Sequence, residues 1–358
     1  MQYLSLAQKE SQFSHEVFGR GIKDEDYNFE VPYNNLSRLP TSLIRFITKL
    51  HSVENLWHLY NNAGSRFSYW LSRLPIRSKL VVHERGFCWT LDQKQRCCYQ
   101  AVAMKADLVL ANSKATAAML NLRLKIPAEK IQVLYNGIVP PRLNLQKEYS
   151  KERFKIGFLG RLEWFKGIHL FLQSAALLKH ERQLEFFVAG DGNAETYLRE
   201  AYTQYPNIHF LSRIQDSNAF LSSIDILVVP SLREALGNVC LEAGMLETAV
   251  VAARVDGLPE IIEHGCSGIL IKPDSPVSTP DQLLDVNLPQ YVIDPDTMTL
   301  KEPTQIDARE LADTIQQLSK DLEYVRQLGK SLRAKVQSQF SLKHYFKNLE
   351  SIYARLYS

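Results

Sequence analysis

The chain has 358 residues, of which 45% are hydrophobic and 23% charged, so it is long enough for two globular domains that each bury a core. Its formal net charge of +3 is too small to predict nucleic acid binding. The five cysteines show neither paired nor zinc-binding spacing, and no apolar run approaches the roughly 20 residues of a membrane span. These features predict a soluble, cytoplasmic protein with free thiols.

An amphipathic pattern lies at residues 43–50. The apolar positions of its stripe are Leu43, Phe46, Ile47 and Leu50, with Arg45 and Lys49 at the flank. A helix that covers one face of an α/β sheet has this pattern, and we favour that interpretation. A helix lying at a membrane interface is the alternative.

Three segments with apolar runs follow, and they are expected to be strands because they resemble strands of the family identified below. The first runs from Lys79 to His83 and continues into Glu84 and Arg85. The second, at 106–111, precedes Ser113, and the third covers 130–135. Pro140-Pro141 and the polar stretch 143–153 then predict an interdomain linker, so the first domain is placed at 1–140.

Cations follow the next strand, at 154–159. Gly160 ends this strand, and Arg161 and Lys166 come before a helix that begins near residue 168. A guanidinium fork and a compact ammonium can together bind a diphosphate without a metal. A further strand, at 184–189, ends in Gly190, which permits close backbone approach.

Two carboxylates follow the strand at 225–230. Glu234 lies in the loop and Glu242 on the next helix, so both can face one ligand. The loop ends in Leu236, Gly237, Asn238 and Val239. The N–H groups at this helix start predict an anion site at the sheet edge.

The remaining chain begins with a proline-rich insertion at 273–303, in which residues 290–293 predict a short strand. Helices are predicted at 307–319, 321–337 and 341–357, the last of them capped by Ser341. The second domain is therefore placed at 141–338. Residues 339–358 contain the last of these helices, and the family resemblance given below implies that it packs back on the first domain.

These motifs, in this order, resemble retaining glycosyltransferase family 4, whose members have the GT-B architecture. The matching pieces are Gly160-Arg161-Leu162 with Lys166-Gly167, Gly190-Asp191-Gly192, Pro230-Ser231, Glu234 with Glu242, Val255-x-Gly257-x-x-Glu260, and Gly268-Ile269-Leu270. The resemblance covers residues 155–272 strongly and the first half weakly. It implies an α/β fold of two Rossmann-like doubly wound domains facing a cleft.

The resemblance also implies that the start of the first domain is shortened. Residues 6–17 resemble the end of the family's first helix and the beginning of its second strand, so the first strand and its glycine-rich loop are expected to be missing. We expect donor binding to survive this loss and transfer to suffer from it.

The resemblance implies a role for each candidate residue. Arg161 and Lys166 bind the donor phosphates together with the N–H groups of the helix that begins near Gly237. Glu242 binds ribose, Glu234 the donor sugar, and His83 lies over that sugar; Gly160, Gly190, Ile214, Leu236, Asn238 and Val239 complete the donor site. Glu84, Arg85 and Ser113 are candidates for acceptor contact. A surface ion pair of Glu234 with Arg233 or Arg254 is the alternative for that carboxylate.

The implied reaction is transfer of a sugar, with retention, from a nucleoside diphosphate sugar to a saccharide or lipid-linked acceptor. No cofactor is implied, and because no Asp-x-Asp motif follows a strand we predict no metal. Bacterial surface polysaccharide or lipopolysaccharide assembly, with peripheral contact at the inner membrane face, is the implied setting. A binding or regulatory protein that keeps the donor site but lacks transfer activity, and a GT-B epimerase or phosphorylase, are the alternatives.

Overall fold

The computed structural model of the protein describes residues 13–15, 17–19, 33–35, 52–141, 152–280, 286 and 288–358. The chain divides into two compact units. The first contains Met1–Asn112, Arg123–Val139 and Ser341–Ser358, and the second contains Ser113–Leu122 and Pro140–Phe340. The predicted boundary at residue 140 lies beside this division. Residues 113–122, which we placed in the first domain, group with the second unit.

Strands alternate with helices along most of the described chain. The strands are β1 (Val17–Gly19), β2 (Tyr33–Asn35), β3 (Leu56–Tyr60), β4 (Lys79–Glu84), β5 (Leu108–Ala111), β6 (Ile131–Val133), β7 (Phe154–Leu159), β8 (Leu184–Ala189), β9 (Ile208–Ser212), β10 (Ile226–Val229), β11 (Ala249–Ala253), β12 (Ile269–Ile271), β13 (Val292–Ile293) and β14 (Leu300–Lys301). The helices are α1 (Arg66–Ser72), α2 (Gln93–Lys105), α3 (Lys114–Leu122), α4 (Ile168–Leu177), α5 (Glu195–Tyr202), α6 (Ser217–Ser223), α7 (Asn238–Met245), α8 (Leu258–Ile261), α9 (Ala308–Ser319), α10 (Leu322–Gln339) and α11 (Leu342–Tyr357).

The first unit contains a parallel sheet in the order β3-β4-β5-β6, beside a separate parallel pair of β1 and β2. Helix α11 packs on this sheet within the same unit. Five of its side chains share one buried cluster with Val81, Leu110 and Leu134: Tyr345, Phe346, Leu349, Ile352 and Tyr353. The hydroxyl of Ser341 accepts the His344 N–H at 3.3 Å, so the predicted cap is confirmed.

The second unit contains a six-stranded parallel sheet in the order β12-β11-β10-β7-β8-β9. The strands predicted at 154–159 and 184–189 are confirmed as β7 and β8. The strand order reverses between β7 and β10, which makes their carboxyl ends the switch point of a doubly wound sheet. The loops carrying Arg161 and Glu234 leave the sheet at this point.

The 273–303 insertion contains an antiparallel hairpin of β13 and β14, so the short strand predicted at 290–293 is confirmed. Several predictions lie outside the described residues: the amphipathic stripe at 43–50, most of the linker at 143–153, and the chain start on which the missing first strand depends. Among the residues that the structure describes, no helix is long and apolar enough to cross a membrane.

Candidate active site

Glycines bring three strand ends of the second unit into close contact. A Cβ on Gly190 would lie 1.9 Å from the carbonyl oxygen of Gly160, and a Cβ on Gly167 would lie 1.9 Å from that of Pro230. Both glycines have positive φ, at 140° and 71°. Only a residue without a side chain fits at either position, so the loops after β7, β8 and β10 converge.

An ion pair joins the two loops at the switch point. Lys166 Nζ lies 2.5 Å from Glu234 Oε2, and the side chains are only 23% and 14% exposed. The partner of Glu234 is therefore Lys166. Of the two alternatives that the sequence left open, Arg254 instead pairs with Asp296 at the protein surface, and the Arg233 guanidinium lies over the Phe165 ring.

Three cations surround the Phe165 ring. The centroid of the ring lies 4.7 Å from the Arg233 guanidinium, 5.3 Å from that of Arg161 and 5.7 Å from Lys166 Nζ. Arg161 also pairs with Glu163 at 2.7 Å, and its side chain is 60% exposed. The aromatic face offsets part of the repulsion between the cations and holds positive charge together where a phosphate could reach it.

Helix α7 begins at this edge without a side-chain cap. Gly237, its N-cap, has φ of 101°, and Asn238 and Val239 form the first turn. Leu236 and Gly237 are buried, Val239 is half-buried and Asn238 is exposed. The N–H groups of such a turn attract an anion.

Glu242 projects from the same helix one turn later. Burial raises the pKa of its carboxyl group. Within the described part of the chain, no hydrogen bond or ion pair to this carboxylate is seen. A half-buried carboxylate without a protein partner is suited to accept ligand hydroxyls.

The structure separates Ile214 from the switch point. Ile214 follows β9, the edge strand, and β8 lies between β9 and β7. Gly190 is closer to the switch point, and its N–H donates to the Ser212 carbonyl at 2.8 Å. Ile214 therefore lies at one border of the candidate site, where its predicted contact with the donor stays a prediction.

Asp256 is a site residue that sequence reasoning missed. Its buried carboxylate accepts the Glu234 N–H at 2.9 Å and the Ile293 N–H at 2.6 Å. The Gly257 N–H in turn donates to the Glu234 carbonyl at 3.1 Å, so the Glu234 backbone is held on both sides. Burial raises the pKa of Asp256 to about 7 against these hydrogen bonds. The available signal was a second acidic residue, besides Glu260, in the motif at 255–260.

Glu260 attaches the start of helix α3 to helix α8, and Ser113 attaches it to the Glu234 loop. Glu260 accepts the N–H groups of Lys114 at 2.8 Å and Ala115 at 3.0 Å. The Ser113 hydroxyl donates to the Ala235 carbonyl at 2.6 Å and is fully buried. These contacts give Ser113 a structural role, and its predicted acceptor contact remains untested.

His83 is the penultimate residue of β4 in the first unit and is 1% exposed. Glu84 is fully buried, and its Oε1 accepts the N–H groups of Gly86 and Cys88, both at 2.9 Å. Arg85 donates from Nε to Asn136 at 2.9 Å. Glu84 thus holds the turn that follows the strand, and the acceptor contacts predicted for Glu84 and Arg85 remain predictions.

Among the described residues, no three or more His, Cys, Asp or Glu side chains are grouped so that they could hold a metal ion. Metal independence of the reaction remains a prediction.

The chain is similar to known glycosyltransferases. Residues 153–288 match the family described as Glycosyl transferases group 1. The glycosyltransferase MJ1607 of Methanocaldococcus jannaschii is 31% identical over 169 residues, 42% of this chain and 43% of that protein. The capsular polysaccharide biosynthesis glycosyltransferase CapM of Staphylococcus aureus is 25% identical over 217 residues, 58% of this chain and 49% of that protein. The chain thus spans about half the length of these relatives.

Solved structures extend the likeness to both units. The structure of Anabaena Alr3699/HepE in complex with UDP and glucose matches with a TM-score of 0.68 at 19% identity. The match covers 91% of this chain and 86% of the HepE chain. The likeness at this identity concerns the fold. The fold class predicted from the sequence, α/β with GT-B architecture, is confirmed.

Proposed function

We propose that the protein is a retaining, metal-independent glycosyltransferase that uses a nucleoside diphosphate sugar. The observation that carries the proposal is the Lys166–Glu234 pair at the switch point, beside the cations around Phe165 and the uncapped start of α7. Positive charge and helix N–H groups suit a diphosphate, and the two carboxylates, Glu234 and Glu242, suit hydroxyl groups.

The ion pair gives the site a simple way to respond to its donor. A diphosphate carries more negative charge than one carboxylate, so it competes with Glu234 for Lys166. Glu234 is then free to accept hydrogen bonds from the sugar. The departing phosphate, stabilised by Lys166 and Arg161, takes the proton of the acceptor hydroxyl, and the new bond forms on the face from which the phosphate leaves.

The relatives support the donor and acceptor classes. HepE was crystallised with UDP and glucose, which makes UDP the first nucleotide to test. CapM is named for capsular polysaccharide biosynthesis, which favours a saccharide or lipid-linked acceptor in surface polysaccharide assembly. A cytoplasmic protein with peripheral membrane contact fits that setting.

Calorimetry with UDP and uridine tests the donor site. We expect Lys166→Ala to weaken UDP binding by about 10- to 100-fold, because a charge-assisted bond contributes about 1.5–3 kcal/mol, while uridine binding changes little. Lys320→Ala is the matched control, since Lys320 is an exposed lysine at the end of α9 in the same unit. Equal UDP affinity in the wild type and Lys166→Ala would remove the assignment.

Transfer is tested separately, by NMR of the product formed from a UDP-sugar and a saccharide acceptor. Retention predicts the same anomeric configuration in product and donor. An inverted product would contradict the proposed mechanism. Tight nucleotide binding with neither transfer nor donor hydrolysis would favour the binding-protein alternative.

A further inference from the structure

Three polar side chains of the first unit form a buried hydrogen-bonded chain. The Tyr353 hydroxyl lies 2.5 Å from His58 Nδ1, and His58 Nε2 lies 3.2 Å from His83 Nδ1. This series of hydrogen bonds ends at His83 Nε2, which is buried and has no hydrogen-bond partner in the described part of the protein. These hydrogen bonds connect Tyr353, on the last helix, to His83, a site residue predicted from the sequence.

Strand register explains why these groups meet. Tyr60 on β3 lies opposite His83 on β4, and His58 lies two residues before Tyr60, on the same face of the sheet. The His58 and Tyr60 rings stack at 4.0 Å and 8°. Helix α11 covers this face and places Tyr353 edge-on to His58 at 5.8 Å. The sheet and the helix therefore fix both imidazole rings.

Both histidines are held neutral. Burial and, to a smaller extent, the nearby His15 lower the pKa of His58 to about 3. The pKa of His83 is well below its usual range because of burial, followed by the charges of His58 and Arg85. His15, which faces the same region, lies 3.9 Å from Glu350 on α11. At neutral pH each imidazole ring therefore carries a hydrogen on only one of its two nitrogens.

Because each neutral imidazole ring has only one N–H hydrogen, the donor and the acceptor of each hydrogen bond can be assigned. Between two neutral imidazoles one nitrogen donates and the other accepts. A phenol is a stronger acid than a neutral imidazole, so Tyr353 is the natural donor at the first contact. We propose that Tyr353 donates to His58 Nδ1, that His58 Nε2–H donates to His83 Nδ1, and that this relay holds His83 in the tautomer with its hydrogen on Nε2.

The relay determines what His83 can do. With its hydrogen on Nε2, His83 offers a donor at the buried end of the chain and cannot act there as a base. A buried donor without a partner costs about 1–3 kcal/mol, which a ligand oxygen would recover. This consequence rests on the proposed transferase function, whereas the tautomer itself does not. Tyr353 and His58 are positioning residues in this scheme, because they act through His83.

Nitrogen NMR of protein labelled with ¹⁵N-histidine tests the tautomer directly. His83 is assigned by the signals lost in His83→Gln. We expect one neutral His83 form, protonated on Nε2, in the wild type, and a mixture of the two tautomers in Tyr353→Phe and His58→Phe. Tyr357→Phe is the matched control, because Tyr357 lies on the same helix but donates to the Glu54 carbonyl. A wild-type His83 protonated on Nδ1, or an unchanged tautomer in Tyr353→Phe, would overturn the proposal.

Kinetics then tests whether the relay serves transfer. We expect Tyr353→Phe to lower kcat by roughly tenfold with little change in UDP affinity, because the loss concerns the presentation of one hydrogen bond. An unchanged kcat in an active enzyme would overturn the role in transfer. If the wild type neither binds UDP nor transfers sugar, the proposed function fails and the NMR result still decides the relay.

Discussion

The two units hold their polar groups in opposite ways. In the second unit, Lys166, Arg161 and Glu234 are charged and lie at partly exposed loop ends, where glycine contacts between backbones set their positions. In the first unit, His58 and His83 are neutral and are held by neighbouring side chains. Charged side chains are costly to bury, so those of the candidate site remain partly exposed. Neutral side chains that are hydrogen-bonded to each other can be buried at a lower cost. The convergence of the loops in the second unit is therefore sensitive to added backbone bulk, and the contact of His58 with His83 in the first unit is sensitive to the loss of single hydrogen bonds.

A side chain added where two backbone segments of the second unit touch should have the largest effect on the free energy of unfolding. Gly190→Ala places a Cβ 1.9 Å from the Gly160 carbonyl oxygen at a φ of 140°, so we expect at least about 3 kcal/mol of destabilisation, measured by urea unfolding. Gly160→Ala is the matched control, because its Cβ meets only the Phe158 ring at 3.8 Å. Equal stability of the two variants would contradict the picture of loops joined by glycine contacts.

Removing one charge of the ion pair should separate binding from transfer. In Glu234→Gln, Lys166 loses its carboxylate partner and the local potential becomes more positive, so UDP affinity should stay equal or rise a few-fold. Transfer should fall by about 100-fold, because the amide is a weaker acceptor for sugar hydroxyls. Calorimetry and initial rates measure the two effects. A loss of affinity parallel to the loss of rate would indicate that Glu234 acts only as a structural residue.

The buried carboxylate of Asp256 should make the stability of the second unit depend on pH. Its folded-state pKa, about 7, lies above the ordinary aspartate pKa of 3.8, so the folded state binds more protons between these values. The free energy of unfolding should therefore fall by up to a few kcal/mol as pH rises from 4 to 7.

Asp256→Asn tests this dependence. Asparagine keeps one of the two acceptors, so the variant should lose about 1–3 kcal/mol at pH 5. Its free energy of unfolding should also change less between pH 4 and 7 than that of the wild type. Urea unfolding at several pH values measures both effects, and parallel pH profiles of wild type and variant would contradict the assignment.

The smallest effect on stability is expected at the exposed end of the cation cluster. The Arg161–Glu163 pair is largely exposed on the arginine side, and such pairs contribute at most about 1 kcal/mol. Arg161→Ala should change the unfolding free energy by less than about 0.5 kcal/mol and weaken UDP binding roughly fivefold. A loss of stability larger than the loss of affinity would make Arg161 a structural residue.

Most of the second unit could be predicted from local sequence patterns. The strand predicted at 154–159 is β7, and the helix predicted to begin near 168 is α4. Glycines and cations at strand ends also pointed to the convergence of the loops, because the ends of parallel strands lie at one edge of a sheet. These features depend on residues close together along the chain.

The sequence by itself therefore determined the α/β fold class, several elements of the second unit and most residue types of the candidate site. Only the tertiary structure decided the partners: Glu234 with Lys166, 68 residues apart, and Tyr353 with His58, 295 residues apart. Periodicity and capping report on neighbouring residues, whereas these contacts form only when strand register and helix packing bring distant segments together. The role of Asp256 stayed hidden for the same reason, because its hydrogen bonds reach 22 residues back and 37 residues ahead along the chain.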